Sequence, residues 1–215
     1  IGKPQSETNK PTVTNITKEY GKTTNEAEVK THVTFDSSKP TPTSVTVENA
    51  NDIPNGKTPG DVNINVNIVY PDGSKSRVTV KVTTGDPDTK TYAPSAGEVK
   101  KNRRDKITAK DITGAVKTST VKDKPAPTET KVELVNENNL PDMTKTGTTN
   151  VPVKVTYPDG SEVVLEVPVV VRDTDKDIYT PTSSTLEKRY GSTISEKEIT
   201  DKVTVPNSCL LYTSL

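Results

Sequence analysis

Carboxylates at alternate positions are the residues in this chain best spaced for chemistry. Asp86 and Asp88 stand in GDPD, and Asp173, Asp175 and Asp177 stand in RDTDKD. Two such groups could ligate a hard cation such as Ca²⁺ and stiffen the backbone between domains. Neither has the spacing of a known calcium loop, and the competing reading is a solvated linker. No metal is therefore assigned. The single histidine, His32, is replaced by Ala115 and Lys202 at the corresponding sites of the repeats described below, so it reads as a surface residue. A catalytic triad or a His-ligated metal has no support. Cys209 is the only cysteine, which excludes a disulfide framework, a Cys-ligated zinc and a redox pair. No glycine-rich phosphate loop occurs, and no carboxylate pair is placed for glycoside hydrolysis. No catalytic residue or cofactor is assigned, the chain is not expected to be an enzyme, and the binding residues are left open.

The cluster Lys100, Lys101, Arg103, Arg104 has no interleaved aromatic for base stacking and reads as a solvated face, the alternative being an anion contact. Lys plus Arg and Asp plus Glu both number 29, a balance that disfavours nucleic acid and anionic membranes as partners. No stretch approaches the ~20 apolar residues of a membrane-spanning helix. Lys, Asn and Asp also supply the partners of intramolecular isopeptide bonds, without a pattern that places one.

Apolar residues are 28% and aromatics 4% of the 215 residues, too few for one large core. Disorder competes, but abundant Val, Ile and Thr with no net charge favour short strands joined by polar turns. The organisation is repetitive. YPDGS occurs at Tyr70–Ser74 and again 87 residues later at Tyr157–Ser161. The same step carries Val45 onto Val132, Gly60 onto Gly147, and Ile64, Val66 and Ile68 onto Val151, Val153 and Val155. Lys18, Tyr20-Gly21, Glu26, Glu28 and Val33 recur 170 residues on as Lys188, Tyr190-Gly191, Glu196, Glu198 and Val203. Between the first two copies the early offset is 83, so four residues are inserted between Val116 and Val132, in VKDKPAPTET. The expected layout is a lead at 1–8, repeats at 9–91 and 92–178, and the start of a third at 179–208. The tail 209–215, CLLYTSL, breaks composition. TGT CTC TTA TAC ACA TCT encodes its first six residues and resembles a transposon adapter used in DNA library preparation. It is expected to be translated adapter, a genuine terminal strand being the alternative.

Within a repeat, Val62, Ile64, Val66, Ile68 and Tyr70 alternate with polar residues, and so do Val78, Val80 and Val82. Two period-two runs across Pro-Asp-Gly predict a β-hairpin with a type I turn and a glycine bulge. The alternative for Pro-Asp-Gly is a ligand contact. Ser44–Glu48 predicts another strand. TNEAEVKTHV, AKDITGAV and SEKEITDKV predict short helices capped by Thr or Ser, with Val33, Val116 and Val203 returning to the core. The fold class is mainly β, with tandem small immunoglobulin-like sandwiches that each carry a short helical segment. At this size a repeat buries about 60% of its unfolded surface and is modestly stable.

The YPDGS hairpin, followed by V-x-V and by the acidic junctions GDPDTKTYAP and RDTDKDIYTP, resembles the Rib repeats of Gram-positive surface proteins, and the longer second repeat resembles the long variant of that repeat. The resemblance covers residues 9–208. It implies an immunoglobulin-like fold, arrays that project from the cell wall, and an association with adhesion. Two departures stand out: the repeats here have diverged from one another, and no sorting motif is present. The expected function is a spacer or stalk in a cell-wall-associated surface protein, extracellular and monomeric, with neighbouring repeats of the chain as partners. The alternative is a binding module whose loops contact a host protein or glycan.

Overall fold

The computed structural model describes residues 2–138 and 140–205. The tail 209–215 read as adapter lies outside the described residues, as does the side chain of Asp177. The elements recur in sets. The first comprises α1 (Gln5–Thr8), β1 (Thr12–Val13), β2 (Ile16–Lys18), α2 (Glu26–Thr31), β3 (Val33–Thr34), β4 (Ser44–Val47), β5 (Gly60–Val69) and β6 (Lys75–Thr84). The second comprises α3 (Asp88–Tyr92), β7 (Ser95–Ala96), β8 (Val99–Asn102), α4 (Ala109–Thr113), β9 (Val116–Lys117), β10 (Lys131–Leu134), β11 (Gly147–Thr156) and β12 (Glu162–Arg172). The third holds α5 (Asp175–Ile178), β13 (Thr182–Ser183), α6 (Glu196–Thr200) and β14 (Val203–Thr204). Residues 5–8, a lead in the sequence reading, form α1. Helices α3 and α5 stand at the same place in the later copies.

The chain divides into two compact units. One takes in the chain through Ser95 with Lys117–Glu133 and Lys154–Leu165. The other takes in Ala96–Val116, Leu134–Val153 and the chain from Glu166.

In the first repeat a four-stranded sheet has the order β2-β6-β5-β4, and β1 and β3 form a separate two-stranded ribbon. The alternation seen in the sequence sets the register. Val62, Ile64 and Val66 of β5 lie opposite Val82, Val80 and Val78 of β6, while Asn63, Asn65 and Asn67 take the other face. β4 continues the apolar face with Val45 opposite Ile68 and Val47 opposite Val66. Ile64, Val66, Ile68, Val80 and Val82 are fully buried, and Ile16, Val29, Val33 and Tyr70 close the core around them. A one-residue slip would turn these side chains to solvent, so burial enforces the register. The second repeat follows the same plan in the order β10-β11-β12-β8, with β7 pairing β9. Val151, Val153, Val155, Val167, Val169 and Ile112 are buried there.

The first strand of each sheet runs parallel to the last. Ile16, Thr17 and Lys18 lie opposite Val82, Thr83 and Thr84. Val99 to Asn102 lie opposite Val169 to Arg172. Strand periodicity carries no information about this partner.

The predicted hairpin turn forms as expected. The Gly73 N–H donates to Tyr70 O at 2.9 Å, the Tyr70 N–H donates to Ser74 O at 2.9 Å, and Gly73 and Gly160 both sit at φ +81°. No atom lies within 4 Å of a Cβ built on Gly160, so Gly160→Ala carries backbone strain alone. The expected cost is about 1 kcal/mol, read as a lowered denaturation midpoint, and an unchanged midpoint would contradict the turn type.

The predicted helices also form, with one change of cap. Asn25, and not a neighbouring Thr, accepts from the Glu28 N–H at 2.9 Å. Thr108 and Ser195 form capping boxes with Asp111 and Glu198. Each helix is held by an ion pair at the same repeat position, to the preceding strand in the first two copies and to the preceding loop in the third: Lys18–Glu28 at 2.6 Å, Lys101–Asp111 at 3.2 Å, and Lys188–Glu198. Hydrogen bonds from Thr108, and then Lys101, hold the Asp111 carboxyl at about 2. Lys188 and Ser195 hold Glu198 at about 2. Of the three valines expected in the core, Val33 is buried, Val116 is half-buried and Val203 is 51% exposed. The described part of the third repeat has the β13–β14 ribbon and α6 but no four-stranded sheet to cover Val203.

Candidate functional site

The two YPDGS segments do more than turn the chain. In the first, the Asp72 carboxylate accepts from the Ser74 N–H at 3.0 Å and the Ser74 hydroxyl at 2.6 Å through one oxygen. Its other oxygen accepts from the Gln5 N–H at 2.7 Å, at the first turn of α1. Ser74 Oγ in turn accepts from the Ser6 N–H at 3.0 Å. The second copy repeats this contact set. Asp159 accepts from the Ser161 N–H at 2.8 Å, the Ser161 hydroxyl at 2.7 Å and the Asp88 N–H at 2.6 Å. Ser161 Oγ accepts from the Thr89 N–H at 3.1 Å.

A helix start leaves its first N–H groups without partners, and a carboxylate beside them is favoured. Pro4 and Pro87 precede these helices and lend no side-chain cap. The hairpin tip supplies the missing acceptors from 67 to 72 residues away. Hydrogen bonds from Ser74, and then from the Gln5 backbone, hold Asp72 below the usual carboxylate range. The tyrosine completes the latch from beneath. Tyr70 is buried, donates to Asn9 O at 2.9 Å and lies 3.1 Å from Ser76 Oγ. Tyr157 donates to Thr118 O at 2.5 Å.

The two latches differ at one charge. Where the first copy has Gln5, whose Oε1 accepts from the Asp72 N–H at 3.3 Å, the second has Asp88. Burial, and then the charge of Asp159, push the Asp88 carboxyl above its ordinary 3.8, against the pull of Lys124. The folded repeat thus holds this proton more tightly than the unfolded chain. Asp88 favours folding below the unfolded value, and that contribution is lost as pH rises through the folded value. At neutral pH the ionised carboxylate opposes the fold. Asp88→Gln is therefore expected to stabilise the second repeat by about 0.5–1 kcal/mol at pH 7, with the gain vanishing near pH 3. Denaturant midpoints at the two pH values check this, and a gain that persists in acid would refute the cause.

The insert of the second repeat sits over the latch. The Tyr92 and Tyr157 rings stack with centroids 5.6 Å apart and planes 13° from parallel, and Lys124 Nζ lies 5.2 Å from the Tyr92 centroid. Thr120 fixes the loop through its N–H to Tyr92 O at 3.0 Å and its hydroxyl to Ala93 O at 2.7 Å. In the first repeat the shorter loop meets Asn9 instead, which donates from Nδ2 to Pro40 O at 2.9 Å. The larger ring at position 92 and the longer loop that covers it thus go together.

The remaining candidates are engaged elsewhere. Asp86 pairs with Lys90 at 2.8 Å, Asp173 with Arg103 at 3.5 Å, and Asp175 begins α5. Among the described residues no group of three or more His, Cys, Asp or Glu is placed to hold a metal ion. The basic cluster is spread along β8 and the following turn. Lys100 pairs with Glu98 at 2.7 Å and Lys101 with Asp111, while Arg104 sits at φ +70° and donates its N–H to Met143 O at 2.7 Å. His32 caps the end of α2, with Nδ1 2.8 Å from the Thr14 hydroxyl. A cleft of about 610 Å³ in the first unit is lined by Lys18, Glu19, Tyr20, Lys22, Asp86, Asp88 and Asp159 among others. Charges of both signs meet there around one ring.

The latch escaped the sequence reading because its two halves are distant in the chain. One signal was available: the 83-residue step carries Pro4-Gln5-Ser6 onto Pro87-Asp88-Thr89.

Comparison with known proteins follows the same division. The family model for the Rib domain matches residues 5–86 and 88–173. C protein alpha-antigen of Streptococcus agalactiae serotype Ia is 36% identical over 178 residues, which cover 80% of this chain and 16% of that protein. The chain thus spans about a sixth of that relative's length. Among solved structures, a Rib domain from Streptococcus pyogenes is 23% identical with a TM-score of 0.31, covering 40% of this chain and all of that one. Human protocadherin-24 EC1-2 is 11% identical with a TM-score of 0.31, covering 76% of this chain and 98% of that one. With two successive family-model matches that fall on the first two of its sets of elements, the chain belongs to the Rib domain family.

Proposed function

We propose that this chain is a spacer segment of a cell-wall-associated surface protein, in which successive repeats carry a distal region away from the cell and so support adhesion. The observation that carries the reading lies inside the first repeat. The chain enters at the hairpin tip, where α1 is held by Asp72 and Ser74. It leaves at Gly85, beyond the far end of the ten-residue strand β6. Entry and exit are separated by a full strand, about 33 Å at 3.3 Å per residue. A fold with its ends at opposite poles converts each added copy into added length. The loops 36–43 and 118–130 carry no aromatic residue of the kind that anchors binding surfaces. No helix among the described residues is long and apolar enough to cross a membrane.

Small-angle scattering tests the proposal on this chain and on one lacking residues 88–174. The maximum dimension should differ by about 3 nm or more. Equal dimensions would overturn it, and a strong effect of a chelator on the longer chain would point back to cation binding at Asp86, Asp88, Asp173 and Asp175.

A further inference from the structure

We propose that each repeat is also a mechanical clamp, a load-bearing function that rests on the spacer reading and goes beyond it. The clamp is the parallel ladder between the first and last strands of each sheet. In the first repeat it joins Ile16–Lys18 to Val82–Thr84 and continues through the Gly85 N–H, which donates to Lys18 O at 2.9 Å. In the second it joins Val99–Asn102 to Val169–Arg172 and continues through the Arg103 N–H, which donates to Arg172 O at 2.7 Å.

Direction decides how such a ladder fails. The N-terminal side of β2 leads back toward the hairpin tip, where α1 is latched. The C-terminal side of β6 leads away from it. Tension on the two ends of the repeat therefore draws β2 and β6 past one another along their own axes. The evenly spaced, slanted bonds of a parallel ladder then share the load and must break together. Had the pair been antiparallel, both loaded ends would lie at the same end of the ladder, and the bonds would peel one at a time.

The side chains suit the role. Ile16 is 3% exposed and Val82 is fully buried, as is Val169, so water has little access to one face of each ladder. Each clamp strand is also tied to its own helix, by Lys18–Glu28 and by Lys101–Asp111. The second clamp has four paired positions against three in the first, so the second repeat is expected to yield at the higher force.

Single-molecule force spectroscopy on the full chain tests this, with Cys209→Ser to leave engineered thiols unique. Pulling from the chain ends loads the clamps in shear. Pulling from Glu19→Cys and Asp86→Cys, both exposed and both at the exit end, peels the first clamp from one side. The end-to-end force for the first repeat should exceed the peeling force by about twofold or more, because the bonds share the load in one geometry and break in turn in the other. Period-two alternation places the Lys101 N–H on the same side as that of Arg103, facing β12. Lys101→Pro should therefore bring the second repeat's force down to that of the first, while Lys101→Ala, which removes the ion pair and keeps the N–H, should leave the order unchanged. Equal forces in the two pulling directions would overturn the clamp, and this comparison stands even where the proline variant does not fold. A chain that scatters as compact yet resists shear would lose the spacer role and keep the clamp. One that scatters as extended yet yields equally in both directions would do the reverse.

Discussion

Tyr157→Ala is expected to cost the second repeat about 3–5 kcal/mol, the range for removing a large buried ring. Tyr157 is 2% exposed, stacks on Tyr92 at 5.6 Å, and donates to Thr118 O at the base of the insert. Its removal leaves a cavity under the latch and strips Tyr92 of its partner ring. A domain of this size holds only about 4–13 kcal/mol in total, so the variant sits near the threshold of folding. Native-state hydrogen exchange reads the effect: amides in β11 and β12 should lose roughly three decades of protection. Tyr157→Phe separates the terms. It keeps the stack and loses the hydroxyl bond, for about 1 kcal/mol. If both variants lost the same amount, the ring would not be part of the core. Burial, and then the nearby Asp88 and Asp159, also raise the Tyr157 hydroxyl's pKa, so the group remains a donor through the neutral range.

Gly56→Ala is expected to destabilise the first repeat by about 2–4 kcal/mol, from two causes that add. Gly56 sits at φ +79°, where a Cβ is penalised, and a Cβ built there would lie 2.3 Å from Lys22 O and 2.7 Å from its carbonyl carbon. Neither atom can swing away, because both are backbone. The same glycine accepts from the Gly21 N–H at 2.8 Å, so movement would break a second tie. Gly60→Ala is the internal control. Gly60 sits at φ +116° with no atom within 4 Å, so it carries the strain alone, about 1 kcal/mol. Denaturation midpoints of the two variants should therefore differ, and equal losses would show that close approach at Lys22 does not matter.

Much of each repeat was legible in the order of amino acids. Val62 to Tyr70 and Val78 to Val82 alternate, Pro-Asp-Gly separates them, and the hairpin formed where those local signals placed it. The helices at Glu26, Ala109 and Glu196 were legible for the same reason, since a cap and its first turn lie within three residues of each other. Local geometry has few alternatives, and composition chooses among them.

The candidate site was legible only in part. Tyr, Pro, Asp, Gly and Ser at 70–74 and 157–161 stood out by repetition, and the turn explained Pro and Gly. It left the identity of Asp72, Ser74 and Tyr70 open, because their partners Gln5, Ser6 and Asn9 lie more than 60 residues away. The junction acids read as a linker or a cation site, since nothing local shows that Asp88 opens a helix resting on Asp159.

By itself, then, the sequence determined what its neighbours in the chain could enforce: the repeat, the hairpins, the turn glycines, the caps of α4 and α6 and the buried face of each strand. The tertiary structure decided which distant groups meet: the hairpin tip on α1 and α3, Lys124 over Tyr92, and the parallel pairing of Ile16–Lys18 with Val82–Thr84. The physical reason is that an unpaired backbone N–H or a half-covered apolar face states a need without naming its partner. Only chain closure over many residues selects one, by the burial and hydrogen bonds gained when the whole repeat is assembled.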